Sequence, residues 1–126
     1  MKLVIFGDRN FTDHQLLKTI VESTDSYRQG KITAVVCGEA RGADSLGKRW
    51  ANEQGIPVLS YPADWEQYGK GAGPIRNRQM AEVADKGIGF LAPGSKGTKN
   101  MITTCKKLSV PTLIYHIETG RIEIVE

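Results

Sequence analysis

Apolar residues in this chain come in short runs separated by longer amphipathic stretches. Five runs end near a glycine, a proline or a polar cluster, which is typical of buried strands in a parallel sheet. They lie at residues 2–6, 32–37, 57–61, 88–92 and 112–117. A turn at residues 118–120 leads into a last run, Ile122–Val125, which predicts a final strand that forms a hairpin with the one before it.

The stretches between these runs have the periodicity of helices with one apolar face. Thr12 and Gln15 have the spacing of a capping box. Gly55 ends a helix that runs to about Gln54, and Pro74 suits the first turn of a later one. The predicted packing residues are Leu16, Leu17, Ile20 and Val21; Ala43, Leu46, Gly47, Trp50 and Ala51; Ile75, Met80, Val83 and Ala84; and Met101, Ile102, Cys105 and Leu108.

Strands that alternate with helices predict an α/β fold with a Rossmann-like parallel sheet flanked by helices and a C-terminal hairpin strand. The 126 residues are enough for one domain with a substantial core, so residues 1–126 are expected to form a single domain. The least regular part is residues 62–73, where three glycines predict a flexible segment.

Composition and charge narrow the class of protein. The net charge of +3 permits an anionic partner, but no run of five or more Lys and Arg indicates a nucleic-acid tail. Two cysteines without metal-site spacing favour a reducing cytoplasm. No stretch approaches the length of a membrane span or of a signal peptide, so a cytoplasmic protein without membrane contact is expected.

Glycines and basic residues concentrate in the loops that follow the predicted strands. These loops cover residues 7–10, 38–44, 61–74 and 93–98. Arg9, Arg41 and Lys96 lie within three of them, and Arg76 lies two residues after the loop at 61–74. In an open parallel sheet such loops meet at one edge, where ligands bind. Strand-to-helix turns need glycine in any case, yet four loops with a basic residue in or beside each favour a site for a phosphate-containing ligand.

Single residues in these loops have both functional and structural interpretations. Arg76, at a predicted helix start, suits a phosphate clamp or an ion pair with Asp64 or Glu66. Thr98 is either a hydroxyl donor to ligand or a helix cap. Asp44 and Arg41 are equally consistent with ligand contacts and with ordinary structural roles, whereas Trp65 and Tyr68 suit base stacking, a lid or local packing.

Two further patterns carry no function. Gly42, Gly47 and Lys48 have the spacing of a Walker A motif, but Arg49 replaces the Ser or Thr that would bind magnesium, and the predicted helix already contains Gly47. His14 and His116 lack a carboxylate or a second histidine at ligand spacing, so no metal site is expected.

Four motifs in order resemble the SLOG superfamily, which unites the Smf/DprA proteins with LOG-type phosphoribohydrolases. The segment 38–44, GEARGAD, resembles the Gly-x-Ala-Arg-Gly-x-Asp signature of the DprA side. Gly7-Asp8-Arg9 opens the resemblance, and residues 63–65 with 72–80 look like the middle motif of the small YspA-type (cpYpsA-related) members. Residues 93–98, PGSKGT, resemble the PGGxGT loop.

The resemblance implies a Rossmann-like domain that binds nucleotides or nucleotide-derived ligands. LOG enzymes cleave the N-glycosidic bond of nucleoside monophosphates with an arginine, matched here by Arg76, and with a glutamate three residues after the PGGxGT loop. Met101 stands at the glutamate position. A thioether neither carries charge nor accepts a proton, which favours a binding protein over a hydrolase.

The expected function is therefore binding of a nucleotide or nucleotide-derived ligand, by a sensor or sequestering protein without a fused effector domain. Alternatives are a LOG-type phosphoribohydrolase, with Arg76 as the catalytic group, and a DprA-like module for single-stranded DNA, which the mild charge disfavours. No cofactor is expected, and a homodimer is expected by similarity to relatives. The predicted ligand-binding residues are Gly7, Arg9, Gly38, Glu39, Arg41, Gly42, Asp44, Asp64, Trp65, Arg76, Asn77, Gly94, Ser95, Gly97 and Thr98.

Overall fold

A computed structural model describes all residues, Met1–Glu126, and its centre is one six-stranded sheet. The strands are β1 (Lys2–Gly7), β2 (Ala34–Cys37), β3 (Val58–Ser60), β4 (Lys86–Leu91), β5 (Thr112–His116) and β6 (Ile122–Val125). Their order in the sheet is β3-β2-β1-β4-β5-β6. All neighbouring pairs are parallel except the antiparallel pair of β5 and β6, which confirms the predicted α/β class and the C-terminal hairpin strand.

Helices follow most strands and cover both faces of the sheet. They are α1 (His14–Glu22), α2 (Asp25–Arg28), α3 (Ala43–Gln54), α4 (Trp65–Tyr68), α5 (Ala72–Val83) and α6 (Lys96–Lys107), with a 3₁₀ turn at Gly69–Gly71. None of these helices has the length and apolar character needed to cross a bilayer.

Successive side chains of the central strand β1 point to opposite faces of the sheet, and both sets are buried. Leu3 and Ile5 of β1 pack in a core with Trp50 of α3, while Val4 and Phe6 pack in a second core with residues of α5 and α6. The predicted core position of Trp50 is confirmed, since its side chain is fully buried.

Three local predictions are wrong. The N-cap of α1 is Asp13 rather than Thr12, because the Asp13 carboxylate accepts the amide of Leu16 at 3.0 Å. Residues 62–73, predicted as irregular, contain α4, the 3₁₀ turn and the start of α5. Ile75, predicted to pack in the core, is exposed because it points away from the sheet, whereas Met80 on the same helix is buried.

The topology creates a crevice between β1 and β4. The chain after β1 leads to the face with α1 and α3, whereas the chain after β4 leads to the face with α5 and α6. The two loops therefore diverge at neighbouring strands, which is the topological switch point where ligands of open α/β sheets bind.

Asp44, in the first turn of α3, is the charged residue that this fold buries, with 5% of its surface exposed. Its carboxylate accepts the Gly38 amide at 3.1 Å and so fixes the turn between β2 and α3. Burial raises the pKa of Asp44, and the positive charge of Arg76 and the nearby backbone amides lower it. The effect of burial is the larger one, so the pKa is about 6. Desolvation thus outweighs the favourable contacts of the carboxylate.

The raised pKa predicts a specific pH dependence of stability. The folded chain binds a proton at Asp44 below about pH 6, while the ordinary value is 3.8, so stability falls as the pH rises between these values. The difference corresponds to a loss of about 3 kcal/mol, which Asp44→Asn should abolish. Urea unfolding between about pH 4 and pH 7 measures this.

Asp25→Asn is the matched control, since Asp25 is exposed and lies far from this turn in the chain. It should retain the pH dependence of the original protein. Equal slopes of unfolding free energy against pH in the original protein and in Asp44→Asn would contradict the prediction.

Candidate functional site

Two adjoining cavities lie at the carboxyl edge of the sheet. The larger has a volume of about 560 Å³ and the smaller about 280 Å³. Arg9, Ala40, Trp65 and Arg76 line both, so they form the boundary between them. The four loops predicted to meet at this edge therefore do meet.

Most of the predicted site residues line one of these cavities. The larger is lined by Gly7, Arg9, Asp44, Trp65, Arg76, Asn77, Gly94, Ser95, Gly97 and Thr98. Gly38, Glu39 and Arg41 line the smaller. Gly42 and Asp64 line neither. Gly42 begins α3, and Asp64 caps α4 by accepting the amide of Gln67 at 3.1 Å.

The first turn of α6 faces the larger cavity without a side-chain cap. Ser95 occupies the N-cap position, but its hydroxyl donates to Asp8 Oδ1 at 2.7 Å instead of accepting an amide of the helix. The amides of the first turn have no intrahelical acceptor. The first turn of the helix, Lys96–Thr98, consequently presents free N–H groups and the positive end of a helix dipole to the cavity.

Thr98 lies inside α6, so its predicted role as the helix cap is wrong. The helix begins at Lys96, three residues earlier than that role requires, because Ser95 holds the N-cap position. The Thr98 side chain is buried and lines the larger cavity.

Arg76 links the two cavities to the turn after β2. Its Nη1 donates to the Gly38 carbonyl, and its Nε donates to Asn77 Oδ1 at 3.2 Å. These bonds leave Nη2 without an acceptor in the protein. Burial lowers the pKa of Arg76 most, and the charge of Arg9 lowers it further, whereas Asp44 raises it. An anion beside this guanidinium would offset both the free-energy cost of burying its charge and the repulsion from Arg9.

The surroundings of Arg76 differ from the sequence-based expectation. Because α5 begins at Ala72, Arg76 is the fifth residue of the helix and lies beyond the first turn, where the dipole effect is concentrated. Its carboxylate neighbour is Asp44 rather than the expected Asp64 or Glu66. The charge of Arg76 is thus balanced in part by a buried group, and its free edge faces the cavities.

Asn77 fastens α5 to α6 at the wall of the larger cavity. Its amide nitrogen donates to Asn100 Oδ1 at 2.9 Å and to the Gly97 carbonyl at 3.4 Å. Asn77 is buried, so these contacts fix the separation of the two helices on either side of the site. Its side-chain oxygen accepts from Arg76, which orients the guanidinium.

Close backbone approaches explain the glycines at this edge. A Cβ on Gly7 would lie 2.5 Å from the Phe90 carbonyl oxygen, where β1 and β4 diverge. A Cβ on Gly38 would overlap Arg76 Nη1 and lie 2.9 Å from Asp44 Oδ2. Each site therefore requires glycine for packing, whether or not ligand is bound.

Trp65 is an exposed aromatic at the boundary of the cavities. With 53% of its surface exposed, it packs at its ring edge over Gly73, where an added Cβ would lie 3.6 Å from the indole. An indole with an exposed face beside a cavity is suited to stack on a planar ligand.

Sequence reasoning missed Asp8, Asn10 and Asn100, which line the larger cavity. Asp8 was detectable, because it directly follows a strand at the carboxyl edge. Its Oδ2 also accepts the Asn10 amide at 3.0 Å, which shapes the loop. Asn100 lies a full turn into α6 and gives no comparable signal in the sequence.

The histidines lie away from this site. His14 contacts Glu53 and His116 contacts Glu123, each at 2.9 Å, so each histidine has a single carboxylate neighbour in the fold. Both partners are distant in the chain or on another strand, which spacing does not reveal. No group of three or more His, Cys, Asp and Glu side chains is placed to hold a metal ion.

Met101, the residue in place of a glutamate, is buried and lines the larger cavity. The ionisable carboxyl groups of this cavity are therefore Asp8 and Asp44. Both Asp8 oxygens already accept hydrogen bonds.

Comparisons with known proteins agree with this architecture. Residues 1–68 match the model of the YAcAr family, described as the YspA, cpYpsA-related SLOG family. The match ends before Arg76 and the loop at 93–98. The gene 61 protein of Mycobacterium phage D29 is 31% identical over 118 residues, which cover 89% of this chain and 94% of the phage protein. No solved structure matches the chain. The protein belongs to the YspA, cpYpsA-related SLOG family.

Proposed function

We propose that this protein binds a nucleotide or nucleotide-derived ligand in the larger cavity, as a sensor or sequestering protein. The observation that carries the proposal is the uncapped first turn of α6 in a cavity that also contains the free edge of Arg76. Backbone amides, a helix dipole and a guanidinium are the groups that bind phosphate in other α/β proteins.

The charges of the cavity support an anionic ligand. Arg9, Arg76 and Lys96 supply three positive charges, against the two carboxyl groups of Asp8 and Asp44. The pKa of about 6 at Asp44 further reduces the negative charge in mildly acidic solution. The balance is therefore positive where phosphate would lie.

The aromatic boundary supports a ligand with a base. Trp65 and the loop before α6 both line the larger cavity, and the exposed indole offers a stacking face. A base on Trp65 and a phosphate at Gly94–Thr98 would use an apolar and a polar part of the same cavity. This division of contacts is typical of small-molecule sites.

Arg76→Ala should weaken nucleotide binding about tenfold to a hundredfold, because it removes a charge-assisted hydrogen bond to phosphate. A thermal-shift panel of ribonucleoside 5′-monophosphates identifies ligands, since saturation at 100 times Kd adds about 2.7 kcal/mol. Calorimetry then gives Kd for the original protein and the variant.

Arg78→Ala is the matched control. Arg78 lies on the same helix, is exposed, pairs with Glu82 at 3.0 Å and lines neither cavity. Its removal should leave Kd unchanged. Nucleotides that fail to shift the melting temperature of the original protein would contradict the proposal, as would equal effects of the two variants.

Trp65→Ala should reduce affinity about fivefold to a hundredfold if a base stacks there, since base–aromatic stacking contributes about 1–3 kcal/mol. Ligand should also quench tryptophan fluorescence through Trp65, because Trp50 is fully buried. Tyr68→Ala, which removes an exposed aromatic of the same short helix that lines neither cavity, should change neither result. Quenching that persists in Trp65→Ala would place the base elsewhere.

A nucleotide phosphoribohydrolase is the second candidate, and the raised pKa of Asp44 in the larger cavity is the observation that favours it. A carboxyl group with a pKa of about 6 can donate a proton near neutral pH. In such a reaction water adds to C1′ of the ribose, the C1′–N bond breaks, and the base leaves with a proton. Met101 supplies no charge to stabilise the positive C1′ centre, so we place this candidate second.

Incubation with nucleoside monophosphates and chromatographic detection of free base distinguishes binding from cleavage. We expect no release above the rate without protein, because the position that would face the reacting carbon holds a thioether. Release that is lost in both Arg76→Ala and Asp44→Asn, but retained in Arg78→Ala, would establish the hydrolase instead.

A further inference from the structure

The smaller cavity has an excess of positive charge, and a ligand confined to the larger cavity would not neutralise all of it. Arg41 lines only this cavity, while Arg9 and Arg76 line both. Arg9 and Arg41 are exposed, and neither forms an ion pair with a carboxylate of the chain. Three guanidinium groups thus border one small volume.

The acidic residue of this cavity does not neutralise them. Glu39 lines it, but its carboxylate pairs with Lys48 of α3 at 3.3 Å. Contacts with Ser60 and Lys48 lower the pKa of Glu39. Glu39 is therefore paired with a cation outside the cavity, and Arg9 and Arg41 remain without a counter-charge of their own.

The backbone of this loop has a conformation that ordinary turns avoid. Glu39 has φ 62°, in the left-handed region that residues other than glycine seldom adopt. Residues held in such conformations cluster at ligand sites. The strain lies between Gly38, whose carbonyl is held by Arg76, and Arg41, so it positions the segment that carries Arg41.

We propose that the smaller cavity is a second anion subsite, and that the ligand is a nucleotide with at least two linked phosphate groups. One phosphate would lie at the first turn of α6, and the next would pass the shared boundary at Arg9 and Arg76 to reach Arg41. This inference rests on the proposed nucleotide site and adds the length of the phosphate chain.

A single phosphate would leave Arg41 without a partner, since Arg41 does not line the larger cavity. A long nucleic acid would use phosphates spaced by nucleosides and would need more basic surface than the net charge of +3 suggests. A diphosphate chain uses all three arginines within the two adjoining volumes.

The test compares matched nucleoside 5′-monophosphates and 5′-diphosphates of adenosine, guanosine, cytidine and uridine by calorimetry. For the base that binds, the diphosphate should bind at least about tenfold more tightly, which corresponds to one charge-assisted hydrogen bond. Arg41→Ala should remove most of this preference, so that the diphosphate and the monophosphate bind with similar Kd. Arg41→Lys should retain part of it, because the charge remains.

Arg49→Ala is the control for loss of one positive charge, because Arg49 is exposed on α3, pairs with Glu53 and lines neither cavity. It should keep the diphosphate preference. Thermal melting verifies that each variant is folded.

The two proposals fail in distinguishable ways. Monophosphate binding that depends on Arg76, without a diphosphate preference or an effect of Arg41→Ala, overturns the second subsite and leaves the proposed function intact. The absence of any nucleotide binding overturns both. Tighter binding of a ten-residue oligothymidylate than of any diphosphate, lost in Arg41→Ala, overturns the inference in favour of single-stranded DNA.

Discussion

The backbone of Gly38 is held from both sides, and the site depends on this arrangement. Its N–H donates to Asp44 of α3 and its carbonyl accepts from Arg76 of α5. These helices cover opposite faces of the sheet, so one residue directly after β2 connects both layers. The lack of a Cβ allows this close approach. The ionised, buried carboxyl group of Asp44 lowers the stability of the fold above about pH 6. The same group supplies the negative charge that partly balances Arg76.

A second connection organises the other wall of the crevice. The hydroxyl of Ser95 binds Asp8, so the loop after β4 is tied to the loop after β1 across the switch point. The same bond diverts the N-cap side chain from its helix, and the free amides of α6 remain available to an external anion. The helices α3 and α5 also begin without a side-chain cap, unlike α1 and α4, which Asp13 and Asp64 cap. Of the four helices that begin beside the cavities, α3, α5 and α6 thus lack a side-chain cap.

Much of the fold was predictable from the sequence, because buried parallel strands leave short apolar runs and the helices between them leave one apolar face. The last strand has the predicted bounds, Ile122–Val125. The site was predictable at the level of loops, since the carboxyl ends of strands must meet. Its contacts were not: the partner of Arg76 proved to be Asp44, 32 residues earlier, and no local pattern encodes such a pairing. The expected homodimer stays a prediction.

Under the proposed function, the difference between binding a nucleotide and cleaving it would depend on one buried position. Cleavage of an N-glycosidic bond develops positive charge at C1′, and an enzyme stabilises it with a nearby carboxylate. Met101 makes that part of the wall apolar. Asp44 is committed to the Gly38 amide and to the field of Arg76, and Asp8 is committed to Ser95 and Asn10. Each carboxylate of the cavity thus supports the architecture, whereas the first-turn amides of α6 and the free edge of Arg76 supply donors. Under the proposed function, these donors would bind phosphate in its ground state, so the chemistry of this wall favours a binding role over hydrolysis.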